Sequence, residues 1–354
     1  MSAAPPVLER LLTTPGAPGQ EGAAVAVWRE AAEEFATSVT VDKMGTPVAR
    51  VDGRGEHPLL AVVGHIDEIA VLVSHVTKEG QLKVVSSGGW DAQILVGQRV
   101  EVLTQNGPVP GVCGRKPIHL LESEERKKAV ELKGLHVDIG AKDRDEALEL
   151  VRLGDPIVIA TEPVDLLGGR LASRALDNRL GVYVALEAAR RVSEAGGGAG
   201  PVAAVAAVQE EIGAHGARAM AFELEPDVAI VVDVTHATDV PGVDAGQLGE
   251  HGLGEGPVLT RGAIVSARVN QLLDEAAEAE GIEIRTDVAG RATYTDADSI
   301  HLSRAGVPTA ILSIPLRYMH SPVELVELAD VEAAIALIAA FALRLEEDTS
   351  LARW

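Results

Sequence analysis

The stretch PVAAVAAVQEEIGAHGA, residues 201–217, decides how the chain is read. From Val202 to Val208 every side chain is Ala or Val, and the run then breaks at Gln209 into two adjacent glutamates, Glu210 and Glu211. A short apolar run with no polar alternation is a strand buried on both faces, as in a sheet covered by helices. A small-residue segment with glycines follows, so a buried strand meets a helix here. Two like charges side by side at such a junction need a reason.

The same pattern recurs on either side. HPLLAVVGHIDEIA (57–70), PDVAIVVDV (226–234) and GVPTAILSIP (306–315) read as further strands. Helical spacing marks EGAAVAVWREAAEEFA (from residue 21), DNRLGVYVALEAARRVSEA (177–195), SARVNQLLDEAAEAEG (266–281) and VELADVEAAIALIAAFALRLEED (326–348). This alternation predicts an α/β fold, a mainly parallel sheet covered by helices on both faces. Residues 71–164 differ: VLVSHV, LKVVSS, QRVEVLTQNGPVPGVCG and DPIVIA are short strands broken by Gly, Pro and Asn. They predict a small β-rich domain inserted into an α/β domain made of residues 1–70 and 165–354. The mixed charge run ESEERKKAVELKG (122–134) is expected to be a solvated loop or short helix. EAGGGAGP (194–201) resembles a linker, but it joins a helix to the next strand and is expected to be a long surface loop. No internal repeat is present.

Composition narrows the function. At 354 residues the chain is long enough for two domains, and 47% hydrophobic content excludes disorder. A formal charge of −22 makes nucleic acid and anionic membranes poor partners, since both require a basic face. The single cysteine, Cys113, excludes an internal disulfide, fits a reducing compartment and is most simply a buried small side chain. The opening MSAAPPVLERLLTTPGAPGQEG lacks a basic region followed by an apolar core, so no signal peptide is expected. No apolar stretch is long enough to span a bilayer. A soluble, cytoplasmic protein is the expectation.

Candidate metal ligands fall at the ends of the apolar runs, where open α/β sheets place their sites. In GHID, His65 and Asp67 share a strand face and sit side by side, although a strand-end histidine with a turn aspartate is the simpler local reading. Asp177 in SRALDNRLG reads locally as a helix N-cap. Glu210 and Glu211 point to opposite sides, which suits one ligand and one substrate-facing carboxylate, or else an exposed turn. Asp233 ends an apolar run and is a ligand or a turn residue, with His236 and Asp239 as competitors. His320 in PLRYMHSPVE precedes the final helix and is ambiguous alone. Together, two histidines and several carboxylates at different strand ends suit a pair of divalent ions, and such a pair favours hydrolysis.

With these residues assembled, the chain resembles the di-metal aminopeptidases of the glutamyl and deblocking aminopeptidase group, the TET-type peptidases, some of which carry the label endoglucanase M-like. The resemblance rests on GHIDEIA, GGWDAQILVGQRV, GRKPIHLL, LHVDIGA, SRALDNRLGVYVALEA, VQEEIGAHGA, DVAIVVDVT, LGEGPVLTRG and SIPLRYMHSPVE, in that order along nearly the whole chain. It implies that His65, Asp177 and Asp233 hold one ion and that Asp177, Glu211 and His320 hold the other. Glu210 is then the general base and Asp67 orients His65. It implies two divalent ions per subunit, zinc or cobalt first, peptide substrates, and a barrel-like insert supporting dimers that join into a dodecamer. RATYTDADSIH (291–301) departs from the family segment, with Tyr294 where glycine is usual. Asp296, Asp298 and His301 are read as solvated-loop and helix-cap residues, and His119, His136, His215 and His251 as structural.

Three rivals remain. A glycoside hydrolase needs two carboxylates, but three Trp, three Tyr and three Phe leave little to stack on sugar faces. A di-metal deacylase would use the same ligands. A catalytically dead assembly or peptide-binding protein would have little reason to keep Glu210.

Overall fold

A computed structural model of the chain describes residues 4–124 and 126–352. Strands β1 (Ser38–Val41), β2 (Pro47–Val51) and β3 (Leu60–His65) open the main sheet. The chain then leaves it and builds β4 (Ala70–Val76), β5 (Leu82–Ser87), β6 (Arg99–Thr104), β7 (Gly107–Gly114), β8 (His136–Asp138) and β9 (Pro156–Ile159). These six close a barrel in the order β4-β5-β8-β7-β6-β9. Next come β10 (Val164–Leu166), β11 (Arg170–Ser173) and the long helix Leu176–Glu194. The main sheet resumes with β12 (Val202–Ala207), β13 (Val228–His236), β14 (Val258–Gly262), β15 (Arg285–Ala289) and β16 (Thr309–Leu316). The last strand, β17 (Glu324–Glu327), pairs with β11 and leads into the helix Leu328–Arg344.

The main sheet runs β1-β2-β12-β3-β13-β16-β14-β15. Its centre, β12-β3-β13-β16, is parallel, as the apolar runs predict; β2 and β14 flank it antiparallel. Alternate residues divide the strands between two cores. Val62, Ala204, Ile230 and Leu312 face the larger one, packed by the helices Gly22–Ala32, Leu176–Glu194 and Leu328–Arg344. Val63, Val205, Val231 and Ile311 face a smaller one, packed by Met220 and Ala221 of helix His215–Leu224. Each fully buried Val or Leu adds about 1.5–3 kcal/mol, so neither face tolerates a polar residue lightly.

The helix Leu176–Glu194 approaches the sheet more closely than side chains normally allow. A Cβ on Gly64 would lie 2.4 Å from the Gly181 carbonyl carbon, and one on Gly181 would lie 2.5 Å from the Val232 carbonyl oxygen. Glycine at both positions brings this helix against β3 and β13.

One sequence expectation needs correction. EAGGGAGP is not a surface loop, because residues 197–200 are buried. Gly198 and Ala199 accept backbone bonds from Arg54 and Gly55 at 3.0 and 2.8 Å, and a Cβ on Gly200 would lie 2.2 Å from the Pro58 carbonyl oxygen. The glycines serve close backbone packing here. The barrel core is continuous from Val71 to Ile159 and encloses Cys113, whose thiol burial pushes up to about 11. The charge run 122–134 is largely exposed, apart from Glu125, which lies outside the described residues.

Candidate metal centre

The parallel strands converge on one edge, and the candidate residues emerge there. His65 ends β3 in register with Ala207 of β12, so Glu210 and Glu211 leave the neighbouring strand beside it. Asp233 sits in β13, and His320 follows β16 in the loop before β17. Asp177 arrives on the helix that Gly64 and Gly181 allow against the sheet. Local sequence favours Asp177 as a helix cap, but the capping position is Ala175, and Asp177 itself has non-helical backbone angles. Its carboxylate instead points into the site.

The distances define two groups sharing one member. Asp177 Oδ1 lies 3.1 Å from His65 Nε2, and Asp177 Oδ2 lies 3.3 Å from His320 Nε2. His65, Asp177 and Asp233 present ligand atoms within 4.8 Å of one another, as do Asp177, Glu211 and His320. The two glutamates separate: Glu211 Oε1 is 3.5 Å from His320 Nε2, and Glu210 Oε2 is 3.8 Å from His65 Nε2. His236 lies outside both groups, and Asp239 is taken up by Arg317 at 3.0 Å.

Asp67 does more than the sequence suggests. His65 Nδ1 is 3.2 Å from the Asp67 carbonyl oxygen and 3.6 Å from its carboxylate. That carboxylate accepts the backbone amides of Glu210 at 3.0 Å and Glu211 at 3.1 Å, so it fixes the turn carrying both glutamates.

Several supporting residues escape sequence reasoning. Buried Glu324 accepts the amide of Asp177 at 3.0 Å and that of His320 at 2.9 Å, tying two ligand-bearing segments together. Its one sequence signal was its place in the SPVE motif. Glu21 accepts the Gln209 amide at 3.2 Å, ahead of Glu210, and burial raises its carboxyl to about 6. Glu68 anchors the loop after His65, paired with buried Arg174 and 3.6 Å from buried Arg179. Ala175, Gln209, Ala214, Tyr294, Tyr318 and His320 hold φ between 54° and 61°. Such strained backbone persists only where surrounding contacts enforce it, and here it brackets the site.

Asp296 corrects the solvated-loop reading. It is buried, and neither carboxylate oxygen has a hydrogen-bond partner. Asp298 accepts the amides of Thr293 at 3.0 Å and Tyr294 at 3.0 Å and so shapes the loop. His301 Nδ1 faces the Ala297 carbonyl at 2.7 Å, and His251 is buried against the Leu248 carbonyl at 3.0 Å.

The carboxylates and imidazoles of the cluster shift one another. Burial raises Glu210 to about 9 and pushes Glu211 and Asp233 up, with neighbouring carboxylates adding to the effect. Burial alone would lower His65, yet Asp177 and Asp67 overcome it and push the imidazole well above the ordinary histidine range. Asp177 and Glu211 likewise push His320 up to about 11. Burial works against ionisation of Asp177, but His320 and His65 hold it well below the carboxylate range. Protons on two imidazoles thus supply the positive charge that crowded carboxylates demand. A hard or borderline divalent cation at each group would replace them, and the donor set of imidazole and carboxylate suits such ions. The groups face a cavity of about 670 Å³ with Tyr294, 89% exposed, at its rim.

The profile of the M42 glutamyl aminopeptidase family matches residues 45–337. A lysyl aminopeptidase of Pyrococcus furiosus is 35% identical over 334 residues, covering 94% of each chain. A TET aminopeptidase from a marine-sediment Thaumarchaeota archaeon superposes with a TM-score of 0.91 at 36% identity, covering 96% of each chain. The TET1 peptidase of Pyrococcus horikoshii, which can assemble into a tetrahedron or a large octahedral shell, superposes with a TM-score of 0.85 at 34% identity, covering 96% of this chain and 99% of that one.

Proposed function

The chain belongs to the M42 glutamyl aminopeptidase family and is a metal-dependent aminopeptidase, and from that premise we propose how its residues divide the work. His65, Asp177 and Asp233 hold one divalent ion; Asp177, Glu211 and His320 hold the second. The ions are zinc or cobalt. The observation that carries this reading is the single carboxylate of Asp177 lying within 3.3 Å of a histidine from each group. Two such ions, when bound, polarise a peptide carbonyl and acidify the attacking water.

The chain supplies the rest. Glu210 takes the proton from the attacking water and returns it to the departing amine, base and then acid. Its raised carboxyl in the metal-free site falls when positive charge arrives, which readies it to start as a base. Asp67 keeps Glu210 and Glu211 apart and steadies His65 through contacts on both sides of the turn. The carboxylate-rich cavity favours the ammonium of a free peptide N-terminus, which makes the activity an exopeptidase one.

The same proposal includes the assembly. The barrel is the dimerisation domain, within an insert of residues 71–164, and dimers join into a dodecamer in the cytoplasm. Val112, Ile118 and Leu120, 51–64% exposed on the insert, are apolar residues that an interface would cover.

The test is hydrolysis of aminoacyl-anilides and short peptides, free or N-acetylated, by metal-stripped protein with and without added Zn²⁺ or Co²⁺. Free N-termini alone are expected to be processed, with metal restoring the activity. Glu210→Gln is expected to lower kcat by about 10²–10⁴-fold while both ions still bind. Turnover of acetylated substrates alone would make the protein a deacylase, and no turnover with two ions bound would make it a peptide-binding protein.

A further inference from the structure

The cavity continues beyond the metal centre. It shares Asp298 and Ser299 with a second groove of about 750 Å³, lined along helix His215–Leu224. The two differ in charge. The first is lined by Asp177, Glu210, Glu211 and Asp233 and by no lysine or arginine. The second brings two arginines, Arg218 and Arg304.

Only one of these guanidiniums is free. Arg304 donates to the Phe222 carbonyl at 2.8 Å, lies 3.8 Å over the Phe222 ring and pairs with Glu225 at 2.9 Å. Arg218 is exposed and, among the described residues, makes no side-chain hydrogen bond or ion pair. The groove's acids leave it so. Asp298 is occupied by Thr293 and Tyr294, and Glu223 sits off the i+3 and i+4 positions that face Arg218 on a helix. His215, one turn before Arg218, faces Gln209 Oε1 at 3.2 Å.

In a chain of net charge −22, an arginine in the groove adjoining a carboxylate-lined cavity gives the combined channel an electrical polarity. A short peptide carries the complementary polarity, ammonium at one end and carboxylate at the other. We propose that the second groove is the subsite for the C-terminal part of a short peptide substrate, with Arg218 receiving its terminal carboxylate. Guanidinium and carboxylate meet through two parallel N–H···O bonds, a geometry lysine does not reproduce. The contact forms only when one peptide spans both ends, so it selects length as well as charge. This subsite rests on the aminopeptidase reading above.

The experiment compares tri- to hexapeptides, each as the free acid and as the C-terminal amide, by kcat/KM for release of the first residue. The wild-type enzyme is expected to prefer the free acid at one short length by about three- to tenfold, through KM. High salt should erode that preference. R218Q should bring the acid-to-amide ratio to about one, and R218K should retain part of it. Among the described residues Arg218 has no side-chain partner to lose, and circular dichroism of R218Q checks that the fold is kept. An unchanged ratio in R218Q, or a wild-type enzyme indifferent to the amide at every length, overturns the proposal. Failure of the wild-type enzyme to process either series would instead sink the aminopeptidase reading, and the subsite with it.

Discussion

Asp296 shows how much a single side chain can conceal from sequence. In TYTDADSIH it reads as a helix-capping aspartate, yet the fold buries it at 1% exposure with neither oxygen paired. Burial pushes its carboxyl up to about 7, with Asp67 adding to the effect and His65 opposing it. The sign follows: between about pH 4 and 7 the unfolded chain releases this proton while the folded chain keeps it. Folding therefore becomes less favourable as pH rises through that window and levels off above it, by a few kcal/mol on the order of magnitude of the shift. Asp296→Asn in metal-free protein is expected to gain stability relative to wild type as pH rises from 4 to 7. Denaturant unfolding across that range checks it; a pH-independent difference would contradict the burial argument. His65, Glu211 and Asp233 stood out as candidates because each stands where an apolar run ends, whereas Asp177 read locally as a helix cap and His320 was ambiguous alone. Glu324 was not legible, since it acts on backbone amides of residues up to 147 positions away.

At the scale of elements, strand identity was legible because burial on both faces leaves unbroken apolar runs. The distance between elements was not. The helix Leu176–Glu194 lies against β3 through Gly64 and Gly181, and nothing in a lone glycine announces a partner across the chain. That contact sets where Asp177 meets His65. Gly64→Ala would place its Cβ 2.4 Å from the Gly181 backbone, so strand and helix must separate. Overpacking of this kind costs about 1–3 kcal/mol, and His65 is the next residue along. Loss of stability is expected together with weaker metal retention, read by urea unfolding and by metal titration. Gly22→Ala, which meets nothing within 4 Å at the start of its helix, is the control and should be neutral or slightly stabilising.

For the whole molecule, the two-part architecture was visible as a change from long apolar runs to short strands broken by turns. Barrel closure was not, because β8 is only three residues long and leaves no periodicity to read. If the insert mediates assembly, Ile118→Asp with Leu120→Asp should lower the mass measured by light scattering while leaving each subunit folded. An unchanged mass would place the interface elsewhere. The barrel also has a temporal consequence. Two residues of one proposed ion site, His65 and Asp177, are 112 positions apart, and the entire barrel is threaded between them. Because β4 and β9 pair with each other, Val71 opposite Ile157, a finished barrel returns the chain to where it left. The barrel thus shortens the search: once it has formed, the remaining chain to close runs 6 positions from His65 to Val71 and 20 from Ile157 to Asp177. On a ribosome, where Asp177 emerges only after the whole insert, the barrel can fold before the peptidase sheet has its second half, while the proposed ion sites wait for His320, late in the chain.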